Sequence, residues 1–372
     1  MSSERRVLQV CSSHQGLRGG AEQFCLSLSE QLYKTGNHLL IATGDVAQDE
    51  EITIPSDFVI LPQSRSVWPR KLLFDYINPS AVNAFRHLLR RFSPDIVHFH
   101  SFYGLSTYLV KVATAHCPVV ITLHDAWPAF TDANPRQPKL GLANTYLKVP
   151  HGFLHRQINR HFLNNAALVS PSRWLVDFFD AANFTRPLHI PNGIIDIGEI
   201  TKYDNTILWV GSLTSFKGLS EVISTVDSVA SQFGWRFIVI GEGPEKERLS
   251  TLYPNIEFLG YQNPTPYFEL ASVLIVSSVG WENFPTVILE AMRHGLCIVG
   301  RDLGGTAELI RINNAGVLYM DTASLKNSLL SLILNKPRIR EFGENGRRQY
   351  CKQYRLDICA ERYVSLYRSL TN

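Results

Sequence analysis

The sequence lacks the features that mark membrane-spanning proteins, secreted proteins and proteins with a structural metal site. It has no run of about eighteen apolar residues, which argues against a transmembrane helix. Its opening residues, MSSERR followed by VLQVC, lack the apolar core of a signal peptide. The six cysteines include no C-x-x-C pair, so neither a zinc ribbon nor a redox motif is indicated. We therefore expect a cytoplasmic protein with reduced, partly buried thiols.

Charge of either sign is also scarce. A net charge of +3 is too small to indicate a nucleic-acid partner. The basic residues are nevertheless uneven in the first half of the chain, where they form two groups, Arg86, His87, Arg90 and Arg91, and Arg65, Arg70 and Lys71 around Trp68. A basic surface that carries an aromatic side chain suits anionic lipid, and an ordinary solvated helix face is the alternative.

What is present is the pattern of a two-domain α/β protein. The chain has 372 residues, more than a single hydrophobic core usually serves. One series of strands and helices begins at Val7, and a second begins at Ile207. The pattern predicts two Rossmann-like domains.

The stretch from Leu274 to Gly305 carries the densest functional signal. An apolar strand is followed by a loop with Glu282, a helix for which Pro285 suits the first position, and a second strand. Loops at the carboxyl ends of parallel strands bind ligands, and the amides of a helix start attract anions such as a diphosphate. Glu282 and Glu290 are then suited to accept hydrogen bonds from sugar and ribose hydroxyls, although ordinary charge patterning also gives such pairs.

Three further loops follow predicted strands. The loop after the first strand contains Gly19 and Gly20, without the G-x-G-x-x-G spacing of a dinucleotide fold. His124 and Asp125 end a later strand, where Asp125 is suited to orient the imidazole ring. The loop that begins at Gly211, GSLTSFKG, carries Lys217. Each is weak by itself, because glycine-rich turns and single histidines are common in structural roles.

Taken together, these motifs resemble glycosyltransferase family 4. The seven-residue spacing between Glu282 and Glu290 resembles the E-x7-E motif of retaining GT-B glycosyltransferases. TLHDAWP, PDIVHFHS, the early GG loop and LHIPNGI resemble other stretches of the same family. The resemblance implies a GT-B fold, with two Rossmann-like domains that face a central cleft. It also implies a domain boundary at LHIPNGI, which gives residues 1–188 and 189–355, and a last helix near 356–372 that returns to the first domain.

The resemblance also implies roles for individual residues. Lys217 would pair with the donor diphosphate, Glu282 with the donor sugar, and Glu290 with the ribose. His124 would reach the donor sugar or the reaction centre. The remaining substrate-binding residues are expected to be Gly19, Gly20, Asp125, Arg173, Gly211, Ser212, Asn283, Phe284, Pro285 and Thr286.

One position departs from the family pattern. Ser212 occupies the place where the family usually has arginine, and Arg173 or Arg301 is expected to supply the missing positive charge. No D-x-D motif is present to hold a metal at the diphosphate. We therefore expect metal-independent transfer with no cofactor beyond the donor.

The expected function is retaining transfer of a sugar from a nucleotide-diphosphate sugar to a saccharide or lipid-linked saccharide. The expected setting is bacterial cell-surface polysaccharide synthesis, in the cytoplasm or at the inner face of the membrane. Two alternatives remain open. One is a GT-B relative such as a sugar epimerase, against which the E-x7-E spacing argues. The other is a non-catalytic nucleotide-sugar-binding protein, favoured only by Ser212.

Overall fold

The computed structural model describes residues 4–11, 20–43, 57–60, 76–102, 105–130, 150–197 and 203–372. These residues form two compact units: unit 1 contains the described residues up to 193 and Leu356–Asn372, and unit 2 contains Ile194–Arg355. The sequence places the boundary at 188/189, five residues earlier. Residues 189–193 stay with unit 1 because a last short strand, Leu188–His189, pairs with that unit's sheet.

Unit 1 is a seven-stranded parallel sheet with helices on both faces. Its strands are β1 (Arg6–Cys11), β2 (His38–Thr43), β3 (Asp57–Ile60), β4 (Ile96–Phe99), β5 (Val119–Thr122), β6 (Ala167–Ser170) and β7 (Leu188–His189). They lie in the order β3-β2-β1-β4-β5-β6-β7. The helices between them are α1 (Gly20–Lys34), α2 (Pro79–Phe92), α3 (Tyr108–Thr114), α4 (Pro150–Leu163) and α5 (Arg173–Ala181).

Successive side chains along the central strands of unit 1 point to opposite faces of the sheet, so each packs into one of two hydrophobic cores, one on each face. Val7 on β1 and Ile96 on β4 pack against α1, whereas Leu8 and Val97, one residue later, pack on the opposite face. Both sets are buried, because a parallel sheet covered by helices on both faces has no solvated side. The carboxyl ends of β1, β4 and β5 are therefore held in fixed register.

Unit 2 repeats this architecture with six parallel strands. They are β8 (Thr206–Val210), β9 (Arg236–Ile240), β10 (Glu257–Phe258), β11 (Val273–Val276), β12 (Cys297–Arg301) and β13 (Gly316–Tyr319), in the order β10-β9-β8-β11-β12-β13. The helices are α6 (Leu219–Gln232), α7 (Lys246–Leu252), α8 (Thr265–Phe268), α9 (Thr286–His294), α10 (Gly304–Asn313), α11 (Thr322–Ile333) and α12 (Lys336–Gln353). Adjacent β8 and β11 bring their following loops to one edge.

The final helix, α13 (Leu356–Thr371), belongs to unit 1. It packs beside α1 and buries Tyr363 and Tyr367. The Tyr367 hydroxyl is 2.7 Å from His98 Nδ1, and the Tyr363 hydroxyl is 2.7 Å from Thr122 Oγ1. The predicted return of the last helix to the first domain is therefore confirmed.

The composition-based expectations about cysteine are also met in the fold. All six cysteines are free thiols, and four of them, Cys11, Cys25, Cys297 and Cys359, are buried. Within the part of the chain that the structure describes, no helix is both long and apolar enough to cross a bilayer.

Candidate active site

The loop after β8 is fixed in place against the end of β11. Gly218, which caps the start of α6, has a φ of 67°, and a Cβ atom there would lie 2.3 Å from the carbonyl oxygen of Ser277. Only glycine permits this approach without a shift of the backbone. Ser277 Oγ donates a 2.7 Å hydrogen bond to the Lys217 carbonyl and accepts one of 2.9 Å from Trp209 Nε1. The backbone that carries Lys217 is thus held from two sides.

The side chains of Lys217 and Glu282 meet at this edge of the sheet. Lys217 Nζ donates a 2.9 Å hydrogen bond to Glu282 Oε1, and the Ser278 hydroxyl donates to the same oxygen. The Lys217 side chain is 31% exposed and that of Glu282 14%, so the pair is only partly solvated. Removal of one partner would leave the other charge poorly compensated. Two predicted catalytic residues from separate loops are therefore brought together within unit 2.

The loop that follows Glu282 is clamped by the start of α10. The Gly305 amide donates a 2.8 Å hydrogen bond to the Glu282 carbonyl, and a Cβ on Gly305 would lie 1.8 Å from the Asn283 carbonyl oxygen. Asn283, Phe284 and Pro285 are all buried. The glycine pair at 304–305 is thus a packing requirement of this loop.

The start of α9 differs by one residue from the sequence expectation. Pro285 is not the first helical residue, because its extended backbone, with ψ of 112°, makes it the residue that precedes the helix. Thr286 is the first residue of α9. The first amides of α9 still lie directly after the Glu282 loop, which keeps them available to an anionic group.

Glu290 is the second carboxylate of this region. It lies on α9 and is largely enclosed, and burial raises its pKa to about 7, while Arg293 on the next turn opposes that rise. A carboxylate that has lost its hydration gains from any hydroxyl group that binds to it. Glu290 is therefore suited to a ligand with vicinal hydroxyls.

Two arginines, Arg173 and Arg301, are expected to supply the positive charge that Ser212 lacks, and they lie in different units. Ser212 itself is exposed in the loop that begins at Gly211. Arg301, at the end of β12, donates a 2.6 Å hydrogen bond to Glu221 in the first turn of α6. Arg173 is the first residue of α5, after its cap Ser172, in unit 1. Arg301 therefore shares a unit with Lys217, whereas Arg173 does not.

In unit 1, three strands supply a chain of polar groups that ends at His124. His100 Nε2 lies 2.8 Å from Gln9 Oε1, and His100 Nδ1 lies 3.1 Å from His124 Nε2. The edge of the Phe24 ring packs against both imidazoles. Burial lowers the pKa of His124 to about 3 and that of His100 well below its usual range. Both imidazoles are therefore neutral at physiological pH.

Other predicted residues of unit 1 have local roles. Asp125 Oδ1 accepts a 2.8 Å hydrogen bond from the Trp127 amide, and the ring of His124 contacts His100. A role for Asp125 in orienting this ring stays a prediction. Gly20 is the first residue of α1, and Gly19 lies outside the described residues.

Comparison with known families agrees with this arrangement. A model described as Glycosyltransferase Family 4 matches residues 18–196, and one described as Glycosyl transferases group 1 matches residues 204–335. The chain belongs to glycosyltransferase family 4. The catalytic candidates His124, Lys217 and Glu282 all lie inside the matched ranges.

One relative and several solved structures align with this glycosyltransferase over nearly its whole length. A phosphatidyl-myo-inositol mannosyltransferase from Mycobacterium leprae is 22% identical over 98% of this chain and 97% of its own length. Among solved structures, a sucrose-phosphate synthase from Thermosynechococcus elongatus superposes with a TM-score of 0.77 at 18% identity, covering 99% of both chains. HepE from Anabaena, in complex with UDP-glucose, gives 0.73 at 16%, covering 99% of this chain and 100% of its own. The fold is therefore GT-B.

Two residues of the His124 chain escaped the sequence reasoning. His98 has a structural role, since its ring nitrogens contact Tyr367 and Thr122 in the core. His100 contacts His124 directly. Gln9 carried a signal as well, since it is a polar residue in the middle of the apolar strand VLQVC.

Proposed function

We propose that this glycosyltransferase transfers a sugar from a nucleoside diphosphate sugar to a saccharide or lipid-linked saccharide, with retention of anomeric configuration. The contact between Lys217 and Glu282 carries the proposal, because it sets a cation and an acceptor carboxylate side by side after adjacent parallel strands. A nucleoside diphosphate sugar likewise carries an anion, its diphosphate, directly next to the hydroxyl groups of its sugar.

The proposed division of labour follows from what each group can do. Lys217 neutralises the diphosphate as it leaves, together with the first amides of α9. Glu282 accepts hydrogen bonds from hydroxyls of the donor sugar, and Glu290 accepts them from the ribose. His124 reaches the donor sugar or the reaction centre. Retention then needs no protein nucleophile, because the leaving phosphate assists the acceptor on the same face, and the enzyme contributes positioning and electrostatics.

Metal independence is part of the proposal. Two phosphate charges need compensation where water is partly excluded, and Lys217 supplies one positive charge. We propose that the N-terminus of α9 and a second arginine, Arg173, supply the rest. Transfer measured with and without a chelator tests this: unchanged turnover supports it, and complete loss in chelator contradicts it.

The acceptor is proposed to lie at an anionic membrane surface in bacterial cell-surface polysaccharide synthesis. Support comes from α2, whose outward face is exposed and basic, and from the mycobacterial relative, whose name contains the lipid phosphatidyl-myo-inositol. The exposed side chains on that face are Arg86, His87, Arg90 and Arg91. Flotation with anionic vesicles should recover more protein than flotation with neutral vesicles. Equal recovery would leave a protein that acts away from the membrane.

A ligand screen with a matched pair of variants tests the donor assignment. Nucleoside diphosphate sugars are first ranked by thermal shift, and the best donor is then used in a transfer assay. Lys217→Met should abolish most turnover. The control is Lys246→Met, since Lys246 is ion-paired to Glu242 and has a similar exposure of 32%. Equal activity in the two variants would contradict the assignment of Lys217 to the diphosphate.

A further inference from the structure

The hydrogen-bond chain from Gln9 to His124 fixes which nitrogen of His124 carries a proton. Gln9 Oε1 can only accept, so the nitrogen that faces it, His100 Nε2, must be protonated. His100 is neutral, which leaves its Nδ1 atom with a lone pair. That atom faces His124 Nε2 at 3.1 Å, so His124 Nε2 is the donor of this second hydrogen bond.

The remaining nitrogen of His124 then has a defined chemistry. His124 is neutral and protonated on Nε2, and its Nδ1 atom therefore carries a lone pair. The rings of His98 and His100 are fully or almost fully buried, whereas His124 is partly exposed. Of the three histidines of this cluster, His124 alone can present a ring nitrogen to a ligand.

We infer that Gln9 and His100 are positioning residues that hold His124 as the Nε2-protonated tautomer, so that Nδ1 accepts a hydrogen bond from a hydroxyl group of the donor sugar. This rests on the proposed function only for the identity of the hydroxyl; the tautomer follows from the geometry of unit 1. A neutral acceptor here adds no positive charge next to the hydroxyl group that it binds.

The surroundings of the chain support a positioning role over simple packing. A buried strand such as β1 has no packing reason to place a glutamine among Val7, Leu8 and Val10, which are all fully buried. Phe24 packs edge-on to both His100 and His124, which restrains the planes of the two rings. The hydrogen bonds then select the proton position that the packing alone leaves undefined.

The tautomer can be measured directly in the wild-type protein. Histidines are labelled with ¹⁵N, and long-range ¹H–¹⁵N correlations report which ring nitrogen is protonated; His124→Asn identifies the signals of His124. We expect Nε2 of His124 to be protonated and Nδ1 to carry the lone pair. The opposite pattern, with Nδ1 protonated, would overturn the inference whatever the activity of the enzyme.

Two variants test the chain itself, and a third serves as control. Gln9→Met removes the acceptor at similar volume, and His100→Phe keeps the ring but removes both nitrogens. Each should give mixed tautomers at His124 and lower kcat/KM for the donor sugar roughly three- to ten-fold, without change in Kd for the free nucleoside diphosphate. Thr122→Val disturbs the same core through His98 and should leave the tautomer unchanged.

The outcomes separate this inference from the proposed function. If the wild type transfers sugar but Gln9→Met and His100→Phe keep both the wild-type tautomer and the wild-type kcat/KM, the positioning role is wrong and the transfer proposal stands. If no nucleoside diphosphate sugar is turned over by the wild type, the proposed function fails, and the labelled spectrum still decides the tautomer. Variants that do not fold leave the wild-type spectrum as the deciding measurement.

Discussion

Replacement of Glu290 by glutamine should stabilise the protein and weaken nucleotide binding at the same time. Glu290 is held on α9 in surroundings that penalise its charge, so its pKa rises from an ordinary 4.5 to about 7. Glutamine has the same shape and no charge to desolvate. In the complex, the hydroxyl groups of a ribose would donate hydrogen bonds to the buried Glu290 carboxylate. The glutamine variant is therefore more stable than the wild type without ligand, but it binds the nucleotide more weakly.

The size of the stabilisation depends on pH. The folded protein binds the Glu290 proton more tightly than the unfolded chain does, so this group favours the folded state in acid, and that contribution is lost as pH rises through about 7. A pKa difference between 4.5 and about 7 corresponds to roughly 3 kcal/mol, an upper value for a side chain that keeps some exposure. Glutamine avoids this loss. The variant should exceed the wild type by less than about 1 kcal/mol at pH 5 and by about 2–3 kcal/mol at pH 8.

Calorimetry at the two pH values is the assay. For a domain of this size, each kcal/mol moves Tm by about 2–4 °C, so Glu290→Gln should raise Tm by roughly 4–10 °C at pH 8 and little at pH 5. Glu247→Gln, at an exposed position on α7, is the control and should change stability by at most about 0.5 kcal/mol.

Titration with nucleoside diphosphate completes the test of Glu290. Loss of hydrogen bonds to a charged acceptor, at about 1.5–3 kcal/mol, should weaken binding at least tenfold. A stabilisation of the same size at pH 5 and pH 8 would refute the burial argument. Unchanged nucleotide affinity in Glu290→Gln or Glu290→Ala would refute the ribose assignment.

Three further predictions concern the rest of the site. Glu282→Gln should lower turnover roughly 10- to 150-fold, because its hydrogen bonds to the donor sugar lose their charge, and a wild-type kcat would contradict this role. Lys217→Met should reduce kcat more than Arg173→Met, since only Lys217 is held beside Glu282; the reverse order in steady-state assays would assign the diphosphate to Arg173. Ser212→Arg should leave kcat unchanged or raise it, and a clear loss would show that the serine is required.

The fold was predictable because the buried strands of this chain can be recognised from their apolar residues. Both faces of each central parallel strand are covered, so β8 and β11 read as nearly continuous apolar runs in the sequence, and β1 and β4 do so apart from Gln9 and His98. The glycines and prolines at their ends marked the loops. The first residue of a helix is harder to predict, because a single backbone angle determines it. Pro285, for example, precedes α9 instead of starting it. The division between the two units, at Gly193 and Ile194, falls within the LHIPNGI stretch that the sequence singles out.

The candidate site was predictable only as far as local motifs reach. Glu282 and Lys217 were each found from the sequence of their own loops, but the 2.9 Å contact between them depends on the adjacency of β8 and β11. The link from Gln9 through His100 to His124 spans three strands, and no local pattern encodes it.

The stereochemistry of the transferred sugar tests retaining transfer most directly. An α-linked nucleoside diphosphate sugar is supplied with acceptor, and the anomeric proton of the product is followed by NMR from the earliest time points. Retaining transfer at the Lys217–Glu282 site predicts an α-linked product from the start and almost none with Lys217→Met. A β-linked product, or a Lys217→Met variant that forms α-linked product at the wild-type rate, would contradict it.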